Sequence, residues 1–169
     1  MQVLLISGED NSGKSTLIHS IATWLKRRDY KPKDVNPNGF WKFYEVANGD
    51  VQTLFEKNDV CVYVHSATDN EYRINELKYN VEKIGVEKID VLITSVRNHG
   101  DKMRNLLCDK MEWKESNCQL HDKNGNLIRE IPLVRIKYFS DKDKEKMKEW
   151  YQTNLLPIAQ TYLETFYEL

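Results

Sequence analysis

Apolar residues follow two regular patterns along this chain. Three short runs are almost continuously apolar, which is typical of strands that are covered on both faces: 3–7, 60–66 and 91–95. After each run, apolar residues recur every three or four positions, the spacing of one helix face. The first two helices carry the stripes Leu17, Ile18, Ile21, Leu25 and Ile74, Leu77, Val81, Ile84. Alternating strands and helices predict an α/β fold with a parallel sheet.

Turn signals predict antiparallel hairpins beside this parallel core. Asn48-Gly49 and the turn at 57–59 separate three predicted strands, 40–46, 51–56 and 60–66. Asn124-Gly125 predicts another hairpin between 114–121 and 127–131, and 134–138 is a further candidate strand. We therefore predict three layers around a mainly parallel central sheet with antiparallel edge hairpins.

The remaining chain completes one domain. A third helix contains Met103 and Leu107, and Thr68 with Glu71 forms a capping-box pattern at the start of the second helix. From residue 140 the pattern is again helical, and Pro157 is expected to kink or divide that helix. With 169 residues, of which 40% are apolar, the chain is long enough for a single domain over 1–169 that includes a C-terminal helical segment, 140–169.

One motif predicts phosphate chemistry. The loop between the first strand and the first helix matches G-x-x-x-x-G-K-[ST] without a mismatch, in the order Gly8, Glu9, Asp10, Asn11, Ser12, Gly13, Lys14, Ser15. Such a loop turns backbone N–H groups toward a phosphate, and the helix adds the positive end of its dipole. Lys14 is expected to contact the β- and γ-phosphates, Ser15 a magnesium ion, and Thr16 the α-phosphate side.

Two further residues are candidates for the same site. Asp69 follows the second apolar strand, where it could hold magnesium or only cap the next helix. Arg97 follows the third strand and is expected to stabilise charge on a transferring phosphoryl group, although a surface arginine is an equal alternative. His99 has weaker support, and the other three histidines are interpreted as structural: His19, His65 and His121.

Charge and cysteine content exclude several partners. The chain has 25 basic and 26 acidic residues, a net charge of −1, so nucleic acid is an unfavourable general partner. No apolar run is long enough to span a membrane. The three cysteines show no zinc spacing, which favours a reduced, cytoplasmic location.

The motifs together resemble a family of small P-loop ATP-binding proteins found in Bacteroides-type bacteria and phages. The resemblance rests on the loop at 8–15, on the segment 55–66 followed by Asp69, and on Ser95-Val96-Arg97-Asn98-His99-Gly100. It implies a P-loop NTPase fold and ATP binding, without an established substrate. This chain has one arginine fewer than the family pattern after the third strand.

The leading expectation is magnesium-dependent ATP or other NTP binding, with hydrolysis or phosphoryl transfer in which Lys14 and Arg97 are catalytic. A small-molecule or nucleotide kinase is the alternative within enzymes. An interaction module that binds nucleotide with little turnover is the alternative of another class. Base specificity, the acceptor and any protein partner stay open.

Overall fold

The computed structural model describes residues 1–33, 50–66, 68–97, 102–134 and 141–169. In these ranges the strands are β1 (Gln2–Gly8), β2 (Lys31–Lys33), β3 (Gln52–Lys57), β4 (Val60–His65), β5 (Val91–Arg97), β6 (Lys114–Ser116), β7 (Gln119–His121) and β8 (Leu127–Leu133). The α-helices are α1 (Lys14–Arg27), α2 (Glu71–Ile84), α3 (Lys102–Met111), α4 (Asp141–Trp150) and α5 (Leu156–Tyr167). None of the described helices is both long and apolar enough to cross a membrane.

The strands form one mixed sheet in the order β2-β3-β4-β5-β1-β8-β7-β6. The four central strands are parallel to one another, through the pairs β4·β5, β5·β1 and β1·β8. The other four pairings are antiparallel because a hairpin extends the sheet at each edge. The α/β class is therefore confirmed, but the sheet is parallel only at its centre, and antiparallel pairings outnumber parallel ones.

Helices cover both faces of the sheet. Successive residues of a strand point to opposite faces, so Leu4 and Ile6 of β1 pack with α1 and α5, whereas Val3 and Leu5 pack with α2 and α3. The side chains of β1 from Val3 to Ile6 are at most 1% exposed. A strand buried on both faces explains the continuous apolar run at 3–7.

Several local predictions were wrong in detail. Residues 114–121 form a hairpin, β6–β7, instead of one strand, because Asn117 and Cys118 both adopt positive φ angles. The helix α2 begins at Glu71, capped by the Asn70 side chain, which accepts from the Arg73 N–H at 3.0 Å. The short strand β2 was not predicted. The predicted strand at 40–46, most of the one at 134–138, and His99 lie outside the described residues.

The C-terminal segment is helical and is divided near the predicted position. One π-helical turn, residues 151–155, lies between α4 and α5, and Pro157 sits in the first turn of α5. Proline has no N–H to donate to the preceding turn, which is consistent with the break occurring just before it. A π-turn in this position inserts extra backbone into the helix and changes which side chains face the sheet.

Candidate functional site

The site is formed at one edge of the sheet by segments that are far apart in sequence. The parallel strands β1, β4 and β5 end there at Gly8, His65 and Arg97, and Gly8 is directly opposite Arg97 in the register. Antiparallel β3 begins at the same edge, since Gln52 pairs with His65. In α/β sheets the carboxyl edge of the parallel strands is where ligands bind.

Both motif glycines of the loop are required by close contacts. A Cβ on Gly8 would lie 2.5 Å from the Leu133 carbonyl oxygen of β8, and 2.6 Å from the Ser12 Oγ. Gly13 has φ 88°, in the left-handed region that L side chains rarely adopt. Any larger residue at Gly8 would push β8 away from the loop, so the compact shape of the loop depends on these two positions.

The first turn of α1 leaves backbone N–H groups available to an anion. Gly13 occupies the N-cap position, so no side chain caps the helix, and no acidic residue lies in its first turn. The Ser12 hydroxyl, inside the loop, is fully buried and has no hydrogen-bond partner. Free N–H groups at a helix start and an unpartnered buried hydroxyl both fit a phosphate in this loop.

Lys14 lies across the loop. Its ammonium donates to the carbonyl oxygens of Gly8 at 3.0 Å and Glu9 at 2.7 Å, and the residue is only 7% exposed. Burial is the largest influence on the Lys14 pKa and lowers it, whereas the nearby Asp69 and Asp10 carboxylates act in the opposite direction. The lysine is thus held by two neutral carbonyl groups, which a phosphate with full negative charge would outcompete.

Arg97 joins the two predicted acids. Its Nη2 lies 2.5 Å from the Asp10 Oδ1, and its Nε lies 4.0 Å from the Asp69 Oδ1. The Nε is buried and has no hydrogen-bond partner, so part of the guanidinium remains unsatisfied. Both carboxylates are about half exposed. Asp10, Asp69, Lys14 and Arg97 are therefore brought together; the strand ends predicted that Asp69 and Arg97 would lie near the loop.

A hydroxyl network positions the segment that carries Asp69. Thr68 is completely buried, and its hydroxyl contacts the Ser95 carbonyl oxygen and lies 3.3 Å from the Ser95 Oγ. Ser95 in turn donates to the Ser66 carbonyl oxygen at 2.6 Å. Thr68 thus attaches the end of β4 to β5, which is a different role from the predicted helix cap.

One acid of the site, Asp50, was missed by the sequence interpretation. The Ser15 Oγ lies 3.4 Å from the Asp50 Oδ1, and the Ser66 Oγ lies 3.2 Å from the same oxygen. The described contacts include none between Ser15 and Asp69. The predicted hairpin of 51–56 with 60–66 places Asp50 at this edge of the sheet, because antiparallel pairing brings the start of one strand to the end of the other, but it does not indicate the contact with Ser15.

The C-terminal segment also reaches the loop, which the sequence did not indicate. A Cβ on Gly13 would lie 2.8 Å from the Cζ of Tyr151, so the tyrosine ring packs directly against the glycine backbone. Tyr151 belongs to the π-turn and is 3% exposed, and its hydroxyl has no hydrogen-bond partner. The buried ring of Tyr151 therefore supports the loop by packing against Gly13.

The other predicted loop residues lie on its outer side or on the first turn of α1. Glu9 and Asn11 are exposed, and Asn11 adopts a positive φ of 57°. Thr16 is half-buried on α1. Within the part of the chain that the structure describes, no group of three or more His, Cys, Asp or Glu side chains is placed to hold a metal ion.

Comparison with known proteins adds little to this geometry. No family model matches the chain, and no curated protein matches it. A hypothetical protein from Pyrococcus horikoshii OT3, known from a crystal structure, is similar over 95% of this chain and 74% of its own, with 14% identity and a TM-score of 0.40. A similarity of this size identifies neither a fold family nor a function.

Proposed function

We propose that this chain is a P-loop NTPase-like protein that binds ATP or another nucleoside triphosphate with magnesium at the loop 8–15. The observation that carries the proposal is the start of α1, which no side chain caps, beneath a loop in which the described hydrogen bonds of Lys14 are to two backbone carbonyls. Backbone N–H groups, a helix dipole and a lysine are the elements that bind the phosphates of a nucleotide. The full match to the motif supports the same conclusion.

In this proposal Lys14 exchanges its bonds to Gly8 and Glu9 for bonds to the β- and γ-phosphate oxygens. Arg97 lies at the end of the adjacent strand, where its guanidinium can neutralise charge that develops on the γ-phosphoryl group. To do so it must leave Asp10, and the half-exposed carboxylate of that residue can then be solvated. Ser15 offers a hydroxyl to magnesium, which when bound would supply positive charge to the phosphates.

The proposed reaction is phosphoryl transfer to water or to a small-molecule acceptor, and both reactions would use the same groups. A nucleotide-regulated module with little turnover is a second candidate, supported by the ion pair of 2.5 Å between Arg97 and Asp10, which withholds the arginine from the loop. Steady-state phosphate release with magnesium ATP, measured with and without candidate acceptors, distinguishes them. Release at the level of a Lys14→Ala control would favour the module.

The proposal is tested by calorimetric titration of the full chain with ATP, GTP and inorganic phosphate in the presence of magnesium. We expect saturable binding of at least one nucleotide, and much weaker binding of phosphate alone. Absence of nucleotide binding in a folded protein would contradict the proposed function.

A further inference from the structure

We propose that Asp50 is the carboxylate that holds the magnesium ion of the bound nucleotide together with Ser15. This inference rests on the proposed function and adds a residue to it. It comes from the contact between the Ser15 Oγ and the Asp50 Oδ1, at 3.4 Å, and not from any sequence motif.

The separation of the two oxygen atoms fits a shared cation. Two neighbouring ligands of an octahedral Mg²⁺, each at about 2.1 Å from the ion, lie about 3.0 Å apart. The observed separation exceeds that value by a few tenths of an ångström, which a small rotation of either side chain removes. Hydroxyl and carboxylate oxygens are also the hard donors that Mg²⁺ prefers.

Asp50 is held in place by hydrogen bonds, and none of the ion pairs between described residues involves it. Its Oδ1 lies 3.2 Å from the Ser66 hydroxyl, and the same hydroxyl accepts from the Val51 N–H at 2.7 Å. The Val51 carbonyl oxygen accepts from the Ser66 N–H at 2.8 Å. Arg73 is close enough for the charge of Asp50 to raise its pKa, but the described ion pair of Arg73 is with Glu76. The carboxylate is therefore oriented and exposed, as a metal ligand must be.

The two acids near Arg97 are engaged differently. Asp10 is in direct contact with the guanidinium, and Asp69 lies 4.0 Å from its Nε. This arrangement assigns Asp69 to the arginine and leaves Asp50 as the acid in contact with Ser15. In this proposal Asp50 holds the cation, and Asp69 helps to position Arg97.

The test measures metal affinity directly and does not depend on turnover. Binding of Mn²⁺, used in place of Mg²⁺, is followed by electron paramagnetic resonance in the presence of saturating ADP for the wild type, Asp50→Asn and Asp69→Asn. Asp59→Asn, at an exposed turn at the opposite end of β4, is the matched control. Calorimetric titration with ADP in EDTA, and the thermal midpoint of each variant, establish that the nucleotide site is intact.

We expect Asp50→Asn to weaken Mn²⁺ binding at least about 10- to 100-fold, because loss of a group that only orients a metal ligand already costs about that much. Binding of ADP in EDTA should remain close to that of the wild type. Wild-type Mn²⁺ affinity in Asp50→Asn, including the case in which only Asp69→Asn loses the metal, would overturn the inference. Failure of the wild type to bind any nucleotide would instead remove the proposed function, so the two failures are distinguishable.

Discussion

Two arginines of this protein, Arg97 at the end of β5 and Arg104 on α3, find ion-pair and hydrogen-bond partners to very different degrees. Arg104 of α3 contacts Glu130 of β8 with both terminal nitrogens, at 2.6 and 2.9 Å, and both side chains are less than one quarter exposed. Arg97 shares its guanidinium between two half-exposed acids, and its Nε, 4.0 Å from the Asp69 Oδ1, has no hydrogen-bond partner. A guanidinium that is fully paired connects two elements of the fold. A guanidinium that is only partly paired, at the end of a strand, retains N–H donors for an anion.

The largest effect is expected from Lys14→Ala, a substitution in the loop next to Arg97. Loss of the ammonium should weaken nucleotide binding about 10- to 100-fold, because a hydrogen bond to a charged group contributes about 1.5–3 kcal/mol. Calorimetry measures the affinity. Lys31→Ala, on an exposed strand away from the loop, is the control and should bind as the wild type does. Equal affinity of both variants would show that the loop does not bind phosphate through Lys14.

His65 is another polar group at this edge without hydrogen-bond partners, and its effect is expected on stability. The residue is fully buried and both ring nitrogens lack partners. Burial, aided by the charge of Arg73, lowers its pKa from 6.5 to about 3. The unfolded chain therefore takes up a proton below about pH 6.5 that the folded protein does not accept until about pH 3.

The stability contributed by neutral His65 is thus complete above pH 6.5 and decreases as the pH falls toward 3. The decrease approaches about 1.4 kcal/mol per pH unit within that window. Urea unfolding between pH 7 and pH 4 should show this slope in the wild type and a shallower one in His65→Gln. Parallel slopes for the two proteins would mean that His65 is charged when buried.

Gly13→Ala measures how firmly the loop is backed by Tyr151. Gly13 and Gly125 both have positive φ, 88° and 82°, so alanine at either position is strained by about 1–2 kcal/mol. Only at Gly13 would the new methyl group meet the tyrosine ring, at 2.8 Å, since nothing lies within 4 Å at Gly125. We expect Gly13→Ala to lower the free energy of unfolding by about 1–3 kcal/mol more than Gly125→Ala does.

Adding Tyr151→Ala to Gly13→Ala should recover part of that difference, because the substitution removes the obstructing ring. Chemical denaturation of the single and double variants gives the coupling between the two residues. Simple additivity would show that the loop adjusts to alanine without the help of the C-terminal segment.

The smallest expected effects on the free energy of unfolding come from substituting the two arginines, and these substitutions test the comparison of Arg104 with Arg97 directly. Arg104→Ala should lower the free energy of unfolding by about 1–2 kcal/mol, since Glu130 loses a bidentate partner at a position only 23% exposed. Arg97→Ala should change stability by less than about 1 kcal/mol, because its acids are solvated, and should instead reduce nucleotide-dependent activity. The opposite pattern, with Arg97 important for stability and Arg104 for activity, would invalidate the comparison.

The centre of the fold and the loop were predictable because both depend on local patterns. The runs at 3–7 and 91–95 are apolar enough to require burial on both faces, and the spacing of Gly8, Gly13 and Lys14 is a chemical requirement of phosphate binding. The neighbourhood of Arg97, Asp10 and Asp69 was predictable in outline from strand direction alone. The exact ion pairs among these residues could not be predicted, because a half-exposed charged side chain has several possible partners nearby.

The contributions of Asp50 and Tyr151 depend on tertiary structure and were missed for that reason. Asp50 reaches Ser15 only because β3 is antiparallel to β4, and no local pattern distinguishes it from an ordinary turn acid. Tyr151 reaches Gly13 across 138 positions of sequence, through a π-turn that helical periodicity does not reveal. β2 is three exposed residues long and includes a proline, so it had no apolar pattern to detect.

The contacts of the C-terminal helical segment also affect the order in which the loop and its neighbours come together during synthesis. The Tyr167 hydroxyl donates to the Val3 carbonyl oxygen at 2.8 Å, and the Tyr151 ring lies behind Gly13, so two tyrosines near the C-terminal end attach to the first strand and its loop. A growing chain emerges N-terminal end first. Gly13 of the loop at 8–15 is therefore made 138 positions before Tyr151, so the loop lacks this aromatic contact until the strands and helices between the two have been made.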